Sequence, residues 1–529
     1  MKYPIHLTHP STPARTLLAA AVAAALLAAC GGGSSSDTTA SALGGTPVAL
    51  GVVSGFGSVY IDGERYDDSA AETAVEDADG QRQPALLKLG QRVRALHDGQ
   101  GKASRLIVDA AVVGAVTAVD AAAGTLTVAA QVVRVNTDAT AGRPLTRFGG
   151  DYETLADVAA SDNVEIHGSP VYDATAQRYE IHATRVEKLD SRSHYRVSGT
   201  ASAVAAGTLQ INGLTVAYTA DAIRPAGATV TDGAGVVVFG TQMVGDTLTA
   251  TAVRVLRAEA DAPPARTQVA LGGFVSATGP AAGTLVVDGQ TVRLADARTV
   301  PTGASAAVGS YVKVAGVMAA DGVVDAQTLN VRTTAADDEL ARIRLAGEIT
   351  DLVDGPSFLV RGVPVDASGV TPAANCPSPL VDGTLVQVQA QAQPGTDVVR
   401  AAEIQCAPAP GLRPRELVDQ GLLWPVDVKA RTFGLNDART GQRVTVRWDD
   451  KTVFLGLPRP GSAELEIQMI RTVRVEGYQE GDVVVARVVR DVSAGAGRRD
   501  GDRFRRVPGA QDKPQPWVAY RSHQNLQPR

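Results

Sequence analysis

The chain has 529 residues with a net charge of −6; 44% are apolar, only 4% are aromatic, and 54 are glycine. At this length it holds about three to five compact units, more if they are small repeats. The apolar share is mostly Val, Ala and Leu, and Val and Thr favour strands as Gly favours turns. That composition excludes a coiled coil, a helical bundle and a polytopic membrane protein, and the acidic balance argues against a nucleic-acid partner.

At the N-terminus, Lys2 and Arg15 precede an apolar run at residues 17–29, LLAAAVAAALLAA. Thirteen residues are too few to span a bilayer, which needs about 20, and fit the apolar core of a signal peptide. The run ends Leu27-Ala28-Ala29-Cys30, which resembles the bacterial lipobox. That resemblance implies a signal peptide over 1–29 and a lipid on Cys30. A plain secretory signal with an incidental Cys is the alternative. Gly31-Gly32-Gly33-Ser34-Ser35-Ser36 then opens a flexible tether over 30–49. Gly rather than Asp after the Cys implies, by the lipoprotein sorting rule, the outer membrane, on its periplasmic or surface face. The membrane, reached through the lipid, is the one partner this implies.

From residue 50 the same grammar repeats. A Gly followed by β-prone residues recurs at Gly51, Gly114, Gly199, Gly273, Gly347 and Gly421, with spacings of 63, 85, 74, 74 and 74. A second strand follows, then a hairpin signal such as Asp62-Gly63, Asn212-Gly213 or Asp288-Gly289. These pairs suit a two-residue turn, where both positions need φ > 0. A third strand, a variable loop, an alternating fourth strand such as Val312-Lys313-Val314-Ala315-Gly316 and a closing fifth strand complete each unit. Short helical turns are predicted at 155–158 and 86–89. Strands alternating at period two bury one face, and five such strands need their edges covered. The expected fold is therefore all-β, a tandem array of small five-stranded OB-like antiparallel barrels. The repeats are placed at 50–113, 114–198, 199–272, 273–346, 347–420 and 421–495. A basic disordered tail occupies 496–529, with Arg498, Arg499, Arg503, Arg505 and Arg506 beside Phe504 and Trp517. It reads either as a solubilising tail or as a contact to anionic lipid.

The first unit carries Gly55-Phe56-Gly57-Ser58-Val59-Tyr60-Ile61-Asp62-Gly63 and later Leu89-Gly90-Gln91-Arg92-Val93. Together with the lipobox and tether, these resemble a bacterial lipoprotein family built of repeats of the domain of unknown function 5666. The resemblance covers about Leu50 to Val492, and its full signature occurs only in the first unit. It implies a small β-barrel fold and an envelope location, and no activity.

Chemistry is sparse. With Cys30 lipidated, Cys376 and Cys406 remain, and an oxidising compartment makes a disulfide between them the natural reading. The bridge is worth about 3–4 kcal/mol in the chain-entropy model; two free thiols are the alternative. No catalytic signature occurs, and Gly55-Phe56-Gly57 lacks the strand-to-helix context of a dinucleotide loop. No cofactor is expected. The best metal-ligand candidates are Glu165, His167, Glu180 and His182, two residues apart in pairs on neighbouring strands, with polar pairs on a wet face as the alternative. Asp77-Ala78-Asp79-Gly80 is a fragment of a calcium loop without its closing Glu. The function expected is a non-enzymatic, lipid-anchored envelope spacer or interaction scaffold, with an envelope protein or polysaccharide as candidate partner. The alternative is a glycan- or polymer-binding protein using OB-type grooves, for which Tyr60, Tyr66 or Tyr311 beside Arg would line the groove.

Overall fold

A computed structural model describes residues 46–256, 265–333, 342–353, 356–394, 396–406, 416–437, 443–450, 452–455, 457, 472–480 and 483–491. The described chain is built of strands, apart from two single turns of 3₁₀ helix at Leu155–Asp157 and Ala220–Ala222. Cys30 and the basic tail lie outside the described residues.

One pairing order returns along the chain. The opening strand Gln268–Thr278 pairs antiparallel with Thr284–Val287 and with Tyr311–Met318. Thr284–Val287 forms a hairpin with Gln290–Arg293, and Tyr311–Met318 pairs antiparallel with Val324–Val331. Gln290–Arg293 and Arg298–Val300 run parallel to Val324–Val331. Val48–Phe56 likewise pairs with Val59–Ile61 and Arg92–His97. Arg342–Val353 does so with Ser357–Val360 and Leu385–Ala392.

The expected tandem array of small five-stranded OB-like antiparallel barrels is corrected here. The chain is an all-β solenoid of stacked coils. Its ladders mix parallel with antiparallel pairs, and they do not stop at a unit's edge. Val48–Leu50 pairs in parallel with Val269–Leu271, and Gly55 and Phe56 pair in parallel with Arg344 and Leu345. Val112 and Val113 pair antiparallel with Val197 and Arg196. The strands therefore merge into sheets of 18, 13 and 6. The physical reason is that a five-strand unit buries little surface by itself, and a shared ladder covers its strand edges and adds burial.

Glycine positions follow from close approach. The predicted turns form, with φ of 47° and 79° at Asp62-Gly63, 46° and 92° at Asn212-Gly213, and 51° and 80° at Asp288-Gly289. Ala129-Ala130 and Arg361-Gly362 make the same turn without the Asn-Gly or Asp-Gly signal. Each of these hairpins folds back over the opening strand. A Cβ at Gly51 would overlap the Asp62 carboxylate, and one at Gly273 would lie 2.9 Å from Asp288 Cβ. A second glycine sits at the bulge of the fourth strand. The register slips between His167 and Gly168, and a Cβ at Gly168 would overlap the His182 carbonyl oxygen.

The helical turn predicted at 155–158 forms over Leu155–Asp157, where Thr154 and Asp157 cap it reciprocally. The one predicted at 86–89 does not form. An amide it would need is engaged elsewhere: the Lys88 N–H donates to Gln91 Oε1 at 2.8 Å. Cys376 and Cys406 are joined by a disulfide, with Cα atoms 4.8 Å apart. The loop before Cys376 lies along the strand Val399–Gln405, with Ala373 N–H donating to the Ile404 carbonyl at 2.9 Å.

The bulge glycine gives a direct test. Gly168→Ala forces its Cβ against backbone rather than against a yielding side chain, so it is expected to cost about 1–3 kcal/mol. A urea unfolding midpoint equal to that of the parent protein would contradict the close packing at this bulge.

Candidate functional site

The polar residues buried most deeply lie where strands from distant parts of the chain meet. The Asp62-Gly63 turn projects its side chain into a slot left open by Gly51 and Gly272. There Asp62 Oδ1 accepts from the Tyr311 hydroxyl at 2.5 Å, and Oδ2 accepts from the Val52 N–H at 3.2 Å. Burial raises the Asp62 carboxyl above its usual range, although the Tyr311 bond and the charge of Lys313 pull the other way. Lys313 Nζ in turn pairs with Glu64 at 2.7 Å. A small cavity beside this contact is lined by Leu50, Tyr66, Leu271 and Lys313 and has room for about one water.

The Asp288-Gly289 turn makes the corresponding contact elsewhere. Asp288 forms a buried ion pair with Arg92, whose guanidinium also donates to Ser169 Oγ at 3.0 Å. Burial disfavours the charge on Arg92, and the Asp288 carboxylate overcomes that and keeps it charged. The Arg92 N–H points to His167 Nδ1 at 3.4 Å, and His167 Nε2 lies 2.7 Å from Glu165 Oε1. His167 Nδ1 also lies 3.3 Å from the Asp109 carbonyl oxygen. Burial opposes ionisation of Glu165; the bond and pull of His167, then Lys88 and Arg196, outweigh it and hold the carboxyl down at about 2.

A third cluster joins residues 88–90, 147–187 and 397. Arg185 Nε donates to Glu187 at 2.7 Å and its Nη1 to Asp397 at 3.2 Å. Arg147 Nε reaches the same Asp397 oxygen at 3.1 Å, and Lys88 Nζ pairs with Glu187 at 2.5 Å.

The four metal-ligand candidates do not converge. Glu165 and His167 pair with each other within the Arg92 junction. Glu180 is gripped by Arg134 at 2.7 Å and Arg178 at 3.0 Å, and His182 faces Arg143 at 3.5 Å. The bulge at Gly168 separates the two pairs, and three guanidiniums around the second repel a cation. Among the described residues no group of three or more His, Cys, Asp or Glu could hold a metal ion. The Asp77 carboxylate accepts from the N–H groups of Asp79 and Gln81 at 3.1 and 2.8 Å, and Asp79 pairs with Arg224 at 3.0 Å. Those acids serve a turn and an ion pair. Of the groove tyrosines, Tyr66 and Tyr311 are buried, and Tyr60 has the Arg344 guanidinium 5.7 Å from its ring.

Asp62 and Asp288 are legible in the sequence as turn residues, and Arg92 as part of a motif. Their pairing could not be read from it, because each partner is far away in the chain. The signal that pointed to them is an acidic residue, rather than Asn, in a turn packed over glycine.

Comparison with known proteins adds little. Residues 272–329 match the model of a domain of unknown function, DUF5666. No curated protein matches the chain. Among solved structures, Drosophila Unr CSD456 is similar over 42% of this chain and 94% of its own, at 13% identity. Its TM-score is 0.11.

Two outcomes are expected. Asp288→Ala leaves Arg92 buried without its partner and should cost about 3–5 kcal/mol, whereas the double variant Arg92→Met, Asp288→Leu should lose much less. Equal losses in urea unfolding would contradict a charge-based junction. For Glu165, the folded carboxyl at about 2 lies below its ordinary value of 4.5. Its contribution is therefore complete above about pH 4.5 and is lost as pH falls towards 2. Glu165→Gln should flatten stability against pH across that window, and an unchanged acid limb would remove the assigned role.

Proposed function

We propose that this chain is a non-enzymatic envelope protein, anchored by a lipid on Cys30, whose repeated β units serve as a spacer or interaction scaffold. The observation that carries the reading is the use made of its buried polar groups. Asp62, Arg92, His167, Arg185 and Asp288 are each engaged with residues from another part of the chain. They hold units together instead of converging on an open cleft. A joined array of marginal units suits a spacer, because each junction adds stability that one unit lacks. The DUF5666 match supports the repeat grammar at 272–329, and extending it to all six units is part of the proposal. The run at 17–29 followed by Cys30 supports the anchor.

Fractionation tests it. Cys30→Ser should move the protein from the membrane pellet to the soluble fraction, since the acyl chains supply the apolar burial that holds it there. In-cell crosslinking should then lose the envelope neighbours captured by the anchored form. Sedimentation of the Ser variant with outer membranes would overturn the anchor, and unchanged neighbours would overturn its use as a tethered scaffold.

A further inference from the structure

A hairpin of the first unit lies across one face of another sheet. Glu72–Glu76 pairs antiparallel with Arg82–Pro84, and the Asp77 carboxylate closes the turn between them by accepting from the N–H groups of Asp79 and Gln81. The face it meets is built by Tyr195–Thr200, Gly235–Val244 and Thr247–Leu256. Val236 and Val238 point into the core, so Val237 and Phe239 point the other way. On that side Phe239 lies between Arg196 and Ala252, and Val237 lies opposite Arg254. Arg224, on the parallel strand Ile223–Arg224, is the next neighbour of Arg254. Val237, Phe239 and Ala252 face away from the core, yet they are only 4%, 2% and 1% exposed, and Ala78 of the hairpin packs against them.

Charge explains the fit. Like charges side by side on neighbouring strands are destabilising, so Arg254 and Arg224 call for anions. The hairpin end supplies them. Arg254 Nη2 donates to Glu76 Oε2 at 3.1 Å and Nη1 to the Asp77 carbonyl at 3.5 Å, while Arg224 Nε donates to Asp79 Oδ1 at 3.0 Å. The Asp79 and Arg224 side chains are 66% and 36% exposed, and ion pairs open to solvent contribute little and are screened by salt. Glu72–Val75 runs parallel to Arg105–Val108 within the first unit, so only the hairpin from Glu76 onwards has to move for this face to open.

We propose that this face is a docking surface for an acidic segment of a partner protein, and that the hairpin end at residues 76–80 occupies it in cis as a strap which the partner displaces. The seated segment shows the chemistry that fits: carboxylates for Arg254 and Arg224, on either side of a small apolar residue that covers Val237, Phe239 and Ala252. Such a surface rests on the interaction-scaffold reading and gives that scaffold a partner chemistry.

The test uses the whole purified protein and a fluorescent peptide copying residues 72–84, followed by anisotropy. It involves neither lipid nor membrane, so its failure leaves the anchored scaffold standing. The parent protein should bind the peptide weakly, because its own hairpin competes. Glu76→Gln with Asp79→Asn removes two cis contacts, leaves the surface intact and should bind the peptide roughly tenfold tighter. Asp79→Asn alone, at an exposed position, serves the same purpose if the double variant unfolds. Adding Arg254→Gln to either should weaken binding roughly tenfold, the loss of one charge-assisted contact. Raising salt from about 0.05 to about 0.5 M should weaken it too. No saturable binding to the released variants overturns the surface. So does binding that Arg254→Gln leaves unchanged in a protein whose urea midpoint is also unchanged. Binding to the parent protein as tight as to the released variants overturns the strap.

Discussion

Burying a charge requires an opposite charge or a strong donor to be buried with it, and for the two turn carboxylates of this chain that partner comes from another unit. Asp288 sits at the tip of a hairpin, and Arg92 supplies its cation from the first unit. Asp62, in the same turn position of that first unit, takes the Tyr311 hydroxyl from the unit that holds Asp288. The two contacts are reciprocal: each unit inserts one turn carboxylate into the other. Such pairs add little net stability compared with apolar contacts, but they are intolerant of the wrong partner. They fix which unit meets which, and the merged ladders between Val48–Leu50 and Val269–Leu271 depend on that choice.

The glycine pattern is the backbone side of the same constraint. A turn can reach across to a distant unit only if it first lies flat over its own opening strand. Gly51 and Gly273 provide that flatness, and Gly272 opens the slot that receives Asp62. At the fourth strand, Gly168 and Gly316 let the chain bulge against carbonyls of the fifth strand. Repetition of glycine therefore reports repetition of crossing points, not of catalytic loops.

The same logic explains why the Glu and His residues on neighbouring strands are not a metal site. Spacing of two places Glu180 and His182 on one face, as it would for a chelating pair. What surrounds that face is decided by a loop and a parallel strand, which bring Arg143 and Arg134. Cations already occupy the place where a metal would need to sit.

The sequence by itself determined the all-β class, the two-residue turns at Asp62, Asn212 and Asp288, and the helical turn at Leu155, because each depends on neighbours within a few residues. The proximity of Cys376 and Cys406 belongs to the same group, since both lie in one unit. Tertiary structure alone decided that the units stack into shared sheets rather than standing as separate barrels. It also decided that Arg185 reaches the Leu89 carbonyl, and that Arg92 finds Asp288. Those outcomes depend on contacts between residues far apart in the chain. Local alternation specifies which face of a strand is buried, but not which other strand or charge will cover it.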